Sequence, residues 1–294
     1  MTTKPSRHNH IVTAGYLRYF ADSDDRVRLV ELDGEIDKRL PARAVMKETD
    51  FSVIRLPEGF DDHVEQGWAE IENRALPHLR GIGLGYALMD EQDVAIKALV
   101  ALHFARAYGA KQLFDETWDK HMDAFVQRSA GDQSLIQAFV EDYKREPLEG
   151  EIERLTAQHV DGERHTNLSW VKTQLEYYEK MLEKLVPLRI ERGIIAGGKA
   201  HFLTSDSPFV LQRGHEVGRT GQIPFEQADS FFMPMTKNCV VAFTTRPERP
   251  SVTVLNPESV RQINTHVCRA ADRFVVAWPR ATESISAPWL PFRP

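Results

Sequence analysis

Two groups of polar residues in this sequence are hard to explain as packing alone. The first is His103 and Arg106, on a stretch over 90–108 whose apolar residues, Val94 to Ile96, Ala98 to Leu102, Phe104, Ala105 and Ala107, leave almost no polar face. Side chains three apart share one face of a helix. A lone charge inside an apolar helix is costly, so Arg106 needs an anionic partner or a route to water. Glu65 and Glu72 are the candidates, in the row Glu65, Ala69, Glu72, Leu76 and Leu79. Carboxylates facing a buried arginine form either a structural ion-pair network or a polar pocket that binds or turns over a ligand. Both readings stand at this point. The second group is Thr204-Ser205-Asp206-Ser207-Pro208, directly after an apolar pair. Ser and Asp at a strand end can cap and turn the chain locally, and proline fixes the exit. Alternatively, Asp206 stands at a sheet edge as a base or metal ligand with Ser205 as a hydrogen-bond donor.

The remaining candidates are plainer. There is no phosphate loop, no His-Glu-x-x-His, no Gly-x-Ser-x-Gly and no dinucleotide fingerprint. Gly81-Ile82-Gly83-Leu84-Gly85 follows a helical pattern and reads as a helix stop. His8-Asn9-His10 carries no nuclease signature, because that class is not defined by a contiguous tripeptide. His201 alternates with Phe202 along a strand pattern, and His121 falls on an ordinary amphipathic helix. Asp61-Asp62-His63 suits a helix N-terminus, where acidic groups complement the dipole.

The elements that must position these groups follow from hydrophobic periodicity. A short helix is expected over 11–20 and a strand over 27–32, ending at Asp33-Gly34. In 63–80, Val64, Trp68, Ile71, Ala75 and Leu79 form a helical stripe. The 90–108 helix has almost no polar face and belongs at the centre of a domain. Further helices are expected near 113–128, 133–145 and 165–186. After Pro187 the period changes to strands. Leu188–Ile195, a Gly197-Gly198 turn and Phe202-Leu203 read as a β-hairpin, followed by short strands near 231–232, 240–243, 252–255 and 274–277. A helix over 257–269 lies between the last two. Residues 211–229 read as a long loop. The expected fold class is α+β, with a helical block over 60–186 and a mainly β segment over 187–280. The antiparallel sheet is expected to form from the C-terminal third and an N-terminal strand. Residues 1–294 are read as a single domain with a loose polar arm over 1–9.

Composition narrows the function classes. The chain has 294 residues, of which 42% are hydrophobic and 27% charged, with a net charge of −6. That is globular usage, and it argues against an indiscriminate nucleic-acid binder. Cys239 and Cys268 form no Cys-x-x-Cys pair, so neither a disulfide framework nor a structural zinc site is expected. No apolar leader and no run of about 18 apolar residues occurs, so a cytoplasmic location without a membrane partner is expected.

Taken in order, the motifs resemble a known family. His10-Ile11-Val12, Tyr16-Leu17-Arg18 and Phe20 are similar to the opening of the family catalogued as domain of unknown function 4238. Val64-Glu65 with Ile71-Glu72, the Arg106 region and Phe232–Met235 resemble its later segments, as do Ile263-Asn264 with Phe274-Val275. Thr204-Ser205-Asp206 with Pro208 matches its most recognisable motif. Thr13 stands where the family has proline, and Ser207 where it has asparagine. The resemblance covers most of the chain outside roughly 110–185. It implies that His10, Arg18, Glu65, Glu72, Arg106, Ser205, Asp206 and Asn264 converge, with His103 beside Arg106. In that arrangement Arg18 and Arg106 would hold a phosphate, and His10 or Asp206 would act as general base. A divalent ion could sit on Glu72 and Asp206. The expected activity is that of a nuclease-like hydrolase acting on a nucleotide or nucleic acid, with a defence or toxin setting suggested by the resemblance. The alternatives are a non-catalytic sensor or interaction module for a small anion, and a purely structural polar cluster.

Overall fold

Alternating short strands and turns at the start of the chain give way to long helical periods and then return to strands. The computed structural model, which describes residues 8–33, 36–197, 200–219, 222–245 and 251–280, follows that order. The N-terminal part contains β1 (His8–His10), α1 (Ala14–Leu17), β2 (Arg26–Glu31), β3 (Asp37–Pro41), β4 (Lys47–Thr49), β5 (Ile54–Leu56) and β6 (Gly59–Asp61). The helical block comprises α2 (His63–Gly83), α3 (Asp90–Ala105), α4 (Tyr108–Ser129), α5 (Gln133–Tyr143), α6 (Glu151–Thr166) and α7 (Leu168–Leu185). The C-terminal part comprises β7 (Arg189–Ile194), β8 (Thr204–Ser205), β9 (Val210–Arg213), β10 (Glu216–Gly218), β11 (Ser230–Thr236), β12 (Cys239–Thr244), β13 (Val252–Val254), α8 (Pro257–Ala270) and β14 (Phe274–Ala277).

The protein is α+β. One sheet has the order β10-β9-β11-β12-β7-β13, antiparallel except for the parallel β7–β13 pair. A second sheet, β3-β2-β14-β8, joins the N-terminal strand β2 to the C-terminal β14 in register Val30↔Val275. Small ribbons pair β1 with β4 and β5 with β6. The apolar stretch becomes α3, which packs between α2 and α7 and buries Ile96, Leu99, Val100, Ala101 and Leu102. Its burial is not complete at the first turns, where Val94 is 55% exposed. A single hydrophobic cluster runs from Ile11 through Leu99 to Val276, so the helical block and both large sheets share apolar contacts. Among the described residues no helix is long and apolar enough to cross a membrane.

Local capping explains several boundaries. Thr13 Oγ1 accepts from Tyr16 N at 3.2 Å and starts α1. Asn256 Oδ1 accepts from Ser259 N at 2.8 Å to start α8, with Pro257 in its first turn. Asn167 joins α6 to α7 in the left-handed region (φ 62°), and its Nδ2 donates to Asp50 O at 2.9 Å and Val53 O at 3.1 Å. A short polar side chain is well suited to both tasks.

The structure corrects four expectations. The expected hairpin over 188–203 does not form: β7 pairs with β12 and β13, while Thr204-Ser205 crosses to the other sheet and pairs with β14. The glycine signal marks a turn, but it carries no information on which strand a distant segment joins; Gly198 itself, like Gly34 of the earlier turn, lies outside the described residues. The expected loop 211–229 contains β9, β10 and a 3-10 turn at Phe225–Gln227. β10 is the edge strand of its sheet and β9, next to it, buries only Val210 and Leu211 of its four residues, so the apolar signal is short. Of the expected arm, residues 1–7 lie outside the described residues, while His8 and Asn9 pair with Thr49 and Glu48. Helix α6 fills a segment for which no element was expected.

The α3 packing sets a contrast in stability. Leu99→Ala is expected to cost about 2–5 kcal/mol, because a fully buried side chain leaves a cavity. Val94→Ala should stay within about 0.5 kcal/mol. Denaturant titration of both variants checks this, and a Val94→Ala loss approaching that of Leu99→Ala would overturn the assigned orientation of α3.

Candidate functional site

Residues 65, 69, 72 and 76 lie on one face of α2, at spacings of three and four. That face meets the C-terminal end of α3 and the N-terminal segment. Gly15 of α1 faces this part of α2, where a Cβ would meet the end of the Leu76 side chain. The result is a cavity of about 310 Å³ whose wall includes His10, Thr13, Asp62, Glu65, Glu72 and Arg106.

Arg106 is only 2% exposed. Its Nη2 donates to the His10 carbonyl and lies 3.2 Å from Glu65 Oε1, and its Nη1 lies 3.6 Å from Glu72 Oε1. These are the two partners that the sequence spacing suggested. Burial raises the Glu72 pKa from 4.5 to about 7; Glu65 adds to the rise and Arg106 opposes it. His10 is pushed down to about 4 by burial, then by Lys47 and Arg106, so its ring is neutral near pH 7. His103 is also neutral, held at about 3 by burial and Arg106. Among the described residues neither of its ring nitrogens has a hydrogen-bond partner, and the ring packs on Tyr16 at a centroid distance of 4.7 Å.

The Thr204–Pro208 motif forms a separate cluster. Asp206 Oδ1 accepts from Asp272 N at 2.9 Å, and Oδ2 accepts from Arg273 N at 2.7 Å and Phe274 N at 3.0 Å. Burial, then the Asp272 carboxylate, raises the Asp206 pKa from 3.8 to about 7 against those three donors. Ser205 Oγ accepts from Ser207 N at 3.2 Å. Ser207 Oγ donates to Asp272 Oδ2 at 2.5 Å, and Asp272 also receives Gly109 N at 2.9 Å and pairs with Arg219 at 2.5 Å. Asn264 bridges α8 to the segment before β8: its Oδ1 accepts from Leu203 N at 2.9 Å, and its Nδ2 donates to His201 O at 2.8 Å. Arg18 lies elsewhere again, exposed, with Nε 3.4 Å from Asp25 Oδ2.

His10, Glu65, Glu72 and Arg106 therefore share one cavity wall, with His103 adjoining Arg106. Ser205 and Asp206 lie together in the second cluster, Asn264 anchors the neighbouring segment, and Arg18 lines a separate depression with Gly15 and Leu76. Glu72 and Asp206 stand in different surroundings. Among the described residues no group of three or more His, Cys, Asp or Glu side chains is placed to hold a metal ion. Sequence reasoning missed three participants. Tyr16, noted only as part of the opening motif, donates to Pro234 O at 2.5 Å and bonds Thr204 Oγ1 at 2.7 Å. Asp62, read only as a helix-start residue, lines the cavity and accepts from Gln66 Nε2 at 2.7 Å. Asp272 had no sequence signal at all, since its partners lie far along the chain.

These features define an α+β protein in which a buried arginine is set between two glutamates at a small cavity. Comparison with known families is more specific. The chain belongs to the family described as protein of unknown function (DUF4238), whose model matches residues 8–281. No curated protein and no solved structure matches it.

Two measurements follow from the geometry. A carboxyl whose pKa rises on folding contributes stability that is complete below its unfolded value and is lost as pH climbs through the folded value. Glu72 should therefore draw stability down between about pH 4.5 and 7, so the melting-temperature gap between about pH 5 and 8 should be narrower in Glu72→Gln than in the parent. An unchanged gap would mean that Glu72 is already ionised at the lower pH. Asp206→Ala strands three backbone donors and is expected to cost about 3 kcal/mol or more, with Asp206→Asn milder. Chemical denaturation measures both, and a loss under about 0.5 kcal/mol for the alanine variant would contradict the observed bonding.

Proposed function

We propose that the chain is an enzyme of hydrolase type acting on a phosphate-bearing substrate, a nucleotide or nucleic acid, in the Arg106 cavity. The observation that carries this reading is Glu72, whose carboxyl is poised to titrate near pH 7 while lining a cavity beside a buried arginine. A group that transfers protons works best when its pKa lies near the working pH. Glu72 meets that condition better than His10, whose ring is too weakly basic. Asp206, with three backbone donors on its oxygens, serves in this reading to hold the fold together.

Substrate binding and protonation are coupled in this arrangement. Glu65 and Glu72 flank a single guanidinium in a cavity that Asp62 also lines, so an added anion meets repulsion while Glu72 is ionised. Proton uptake by Glu72 relieves it and frees Arg106 Nη1 for a phosphate oxygen. Affinity for a phosphate group is therefore expected to rise as pH falls through about 7. A nuclease with a defence or toxin role is the narrower form of the proposal. A second reading, a non-catalytic module for a small anion, is favoured by the fixed attachment of Arg106 to the His10 carbonyl.

The test is turnover by the purified full chain with magnesium or manganese. The substrates are nitrophenyl phosphate, bis-nitrophenyl phosphate, ATP, RNA and single-stranded DNA. At least one should be hydrolysed, and Glu72→Gln should lower kcat by about 10²–10⁴-fold while the folded protein is retained. Hydrolysis that survives in Glu72→Gln would remove that residue from the reaction. No turnover of any substrate overturns the enzyme reading, and a nucleotide-induced rise in melting temperature without turnover selects the binding module.

A further inference from the structure

A second cavity, of about 620 Å³, lies between the β4–β5 segment, α4 and the α6–α7 junction. Its walls come from distant parts of the chain and are cross-linked. Trp170 Nε1 donates to Phe51 O at 2.7 Å, and Arg55 Nη1 donates to His165 O at 3.0 Å, beside the Asn167 bonds to Asp50 and Val53. The cavity is thus held open by paired main-chain and side-chain groups. Its volume is within the range of small-molecule sites.

The aromatic part of the wall already grips a cation. Lys111 Nζ lies 5.4 Å from the Phe114 ring centroid and 5.5 Å from that of Trp170, and it pairs with Asp115. Trp118 extends the aromatic surface, its ring centroid 5.6 Å from that of Phe114, and its buried Nε1 has no hydrogen-bond partner among the described residues. Ammonium groups are recognised in this way, by ring faces within about 6 Å and a carboxylate behind. Among the described residues of the wall, carboxylates outnumber the Lys and Arg side chains five to three. Each cation is already engaged: Lys111 with Asp115, Arg55 with Asp50 at 3.1 Å, and Arg164 with Asp119 at 2.8 Å. Glu48 and Asp161 stand exposed at the rim.

We infer that this cavity is a binding site for a small organic cation, whose ammonium group displaces Lys111 from between Phe114 and Trp170 and takes over Asp115. Lys111 is then a built-in stand-in for the ligand. A phosphate-bearing ligand is disfavoured by the surplus of carboxylates, so this site is distinct in chemistry from the Arg106 cavity.

Tryptophan fluorescence and calorimetric titration of the full chain with choline, spermidine and free arginine test the inference, with AMP as the anionic control. Saturable binding of at least one cation is expected. It should weaken at least about tenfold in Phe114→Ala, a loss within the range of a desolvated cation–π contact, and survive in Phe114→Tyr. Lys111→Met should bind more tightly than the parent, because the rings and Asp115 are vacated. Glu72→Gln should bind as the parent does, which separates this site from the one proposed for turnover. Failure of all three cations to bind the parent, binding of AMP in their place, or Lys111→Met binding no more tightly would overturn it.

Discussion

The desolvated guanidinium of Arg106 is the constraint around which the N-terminal half is arranged. A charge so deeply buried is tolerable only when acceptors for its N–H groups and countercharges are supplied by groups fixed in advance. Two elements supply them to a third. The β1 end gives the His10 carbonyl, α2 gives Glu65 and Glu72, and α3 carries the arginine at its C-terminal cap. None of these contacts is local in sequence, so the ion cluster fixes how the N-terminal segment lies on the helical block. The same burial raises Glu72, because two carboxylates and one arginine cannot all keep their charges at low cost in a partly dry site.

The second constraint is Asp206. Its three backbone donors come from consecutive residues, Asp272 to Phe274, where α8 hands over to β14. One carboxylate therefore satisfies three successive amides at the turn from α8 into β14, and Asp272 then reaches Gly109 at the start of α4. Tyr16 connects this region to the first cluster, since its ring lies on His103 while its hydroxyl bonds Thr204 and Pro234. Two polar clusters on different elements are thus joined through a single buried phenol.

The parts of this arrangement that were legible in the sequence share a physical origin. The absence of a polar face over 90–108 marked a central helix. An arginine on that helix demanded an anion, and Glu65 and Glu72 were the carboxylates at the right spacing on the neighbouring stripe. What escaped was pairing between distant segments. Gly197 and its flanking apolar residues signalled a turn, but Phe202 N goes to Lys237 O and Leu203 N to Asn264, so the local signal named the wrong partner strand. Asp272 was invisible for the same reason: its task depends on a helix 163 positions away in the chain. Asp62 was legible as a helix-start residue but not as a cavity wall, because the wall exists only once α1 has closed over α2.

Burial of polar groups has different consequences in the two clusters, and the difference lies in what satisfies them. The Asp206 oxygens face backbone amides that cannot move without unravelling β14, so this carboxylate is committed to one arrangement. The Glu72 carboxyl faces a longer, single-point contact of 3.6 Å to a guanidinium that has two other acceptors. Loss or gain of its proton leaves the rest of the Arg106 cluster intact. A group that can change charge without changing the fold, at the wall of a cavity open to a ligand, is where chemistry is cheapest to place. That asymmetry, rather than the number of polar residues, is the physical difference between the Arg106 cavity and the Asp206 cluster on which the proposed function rests.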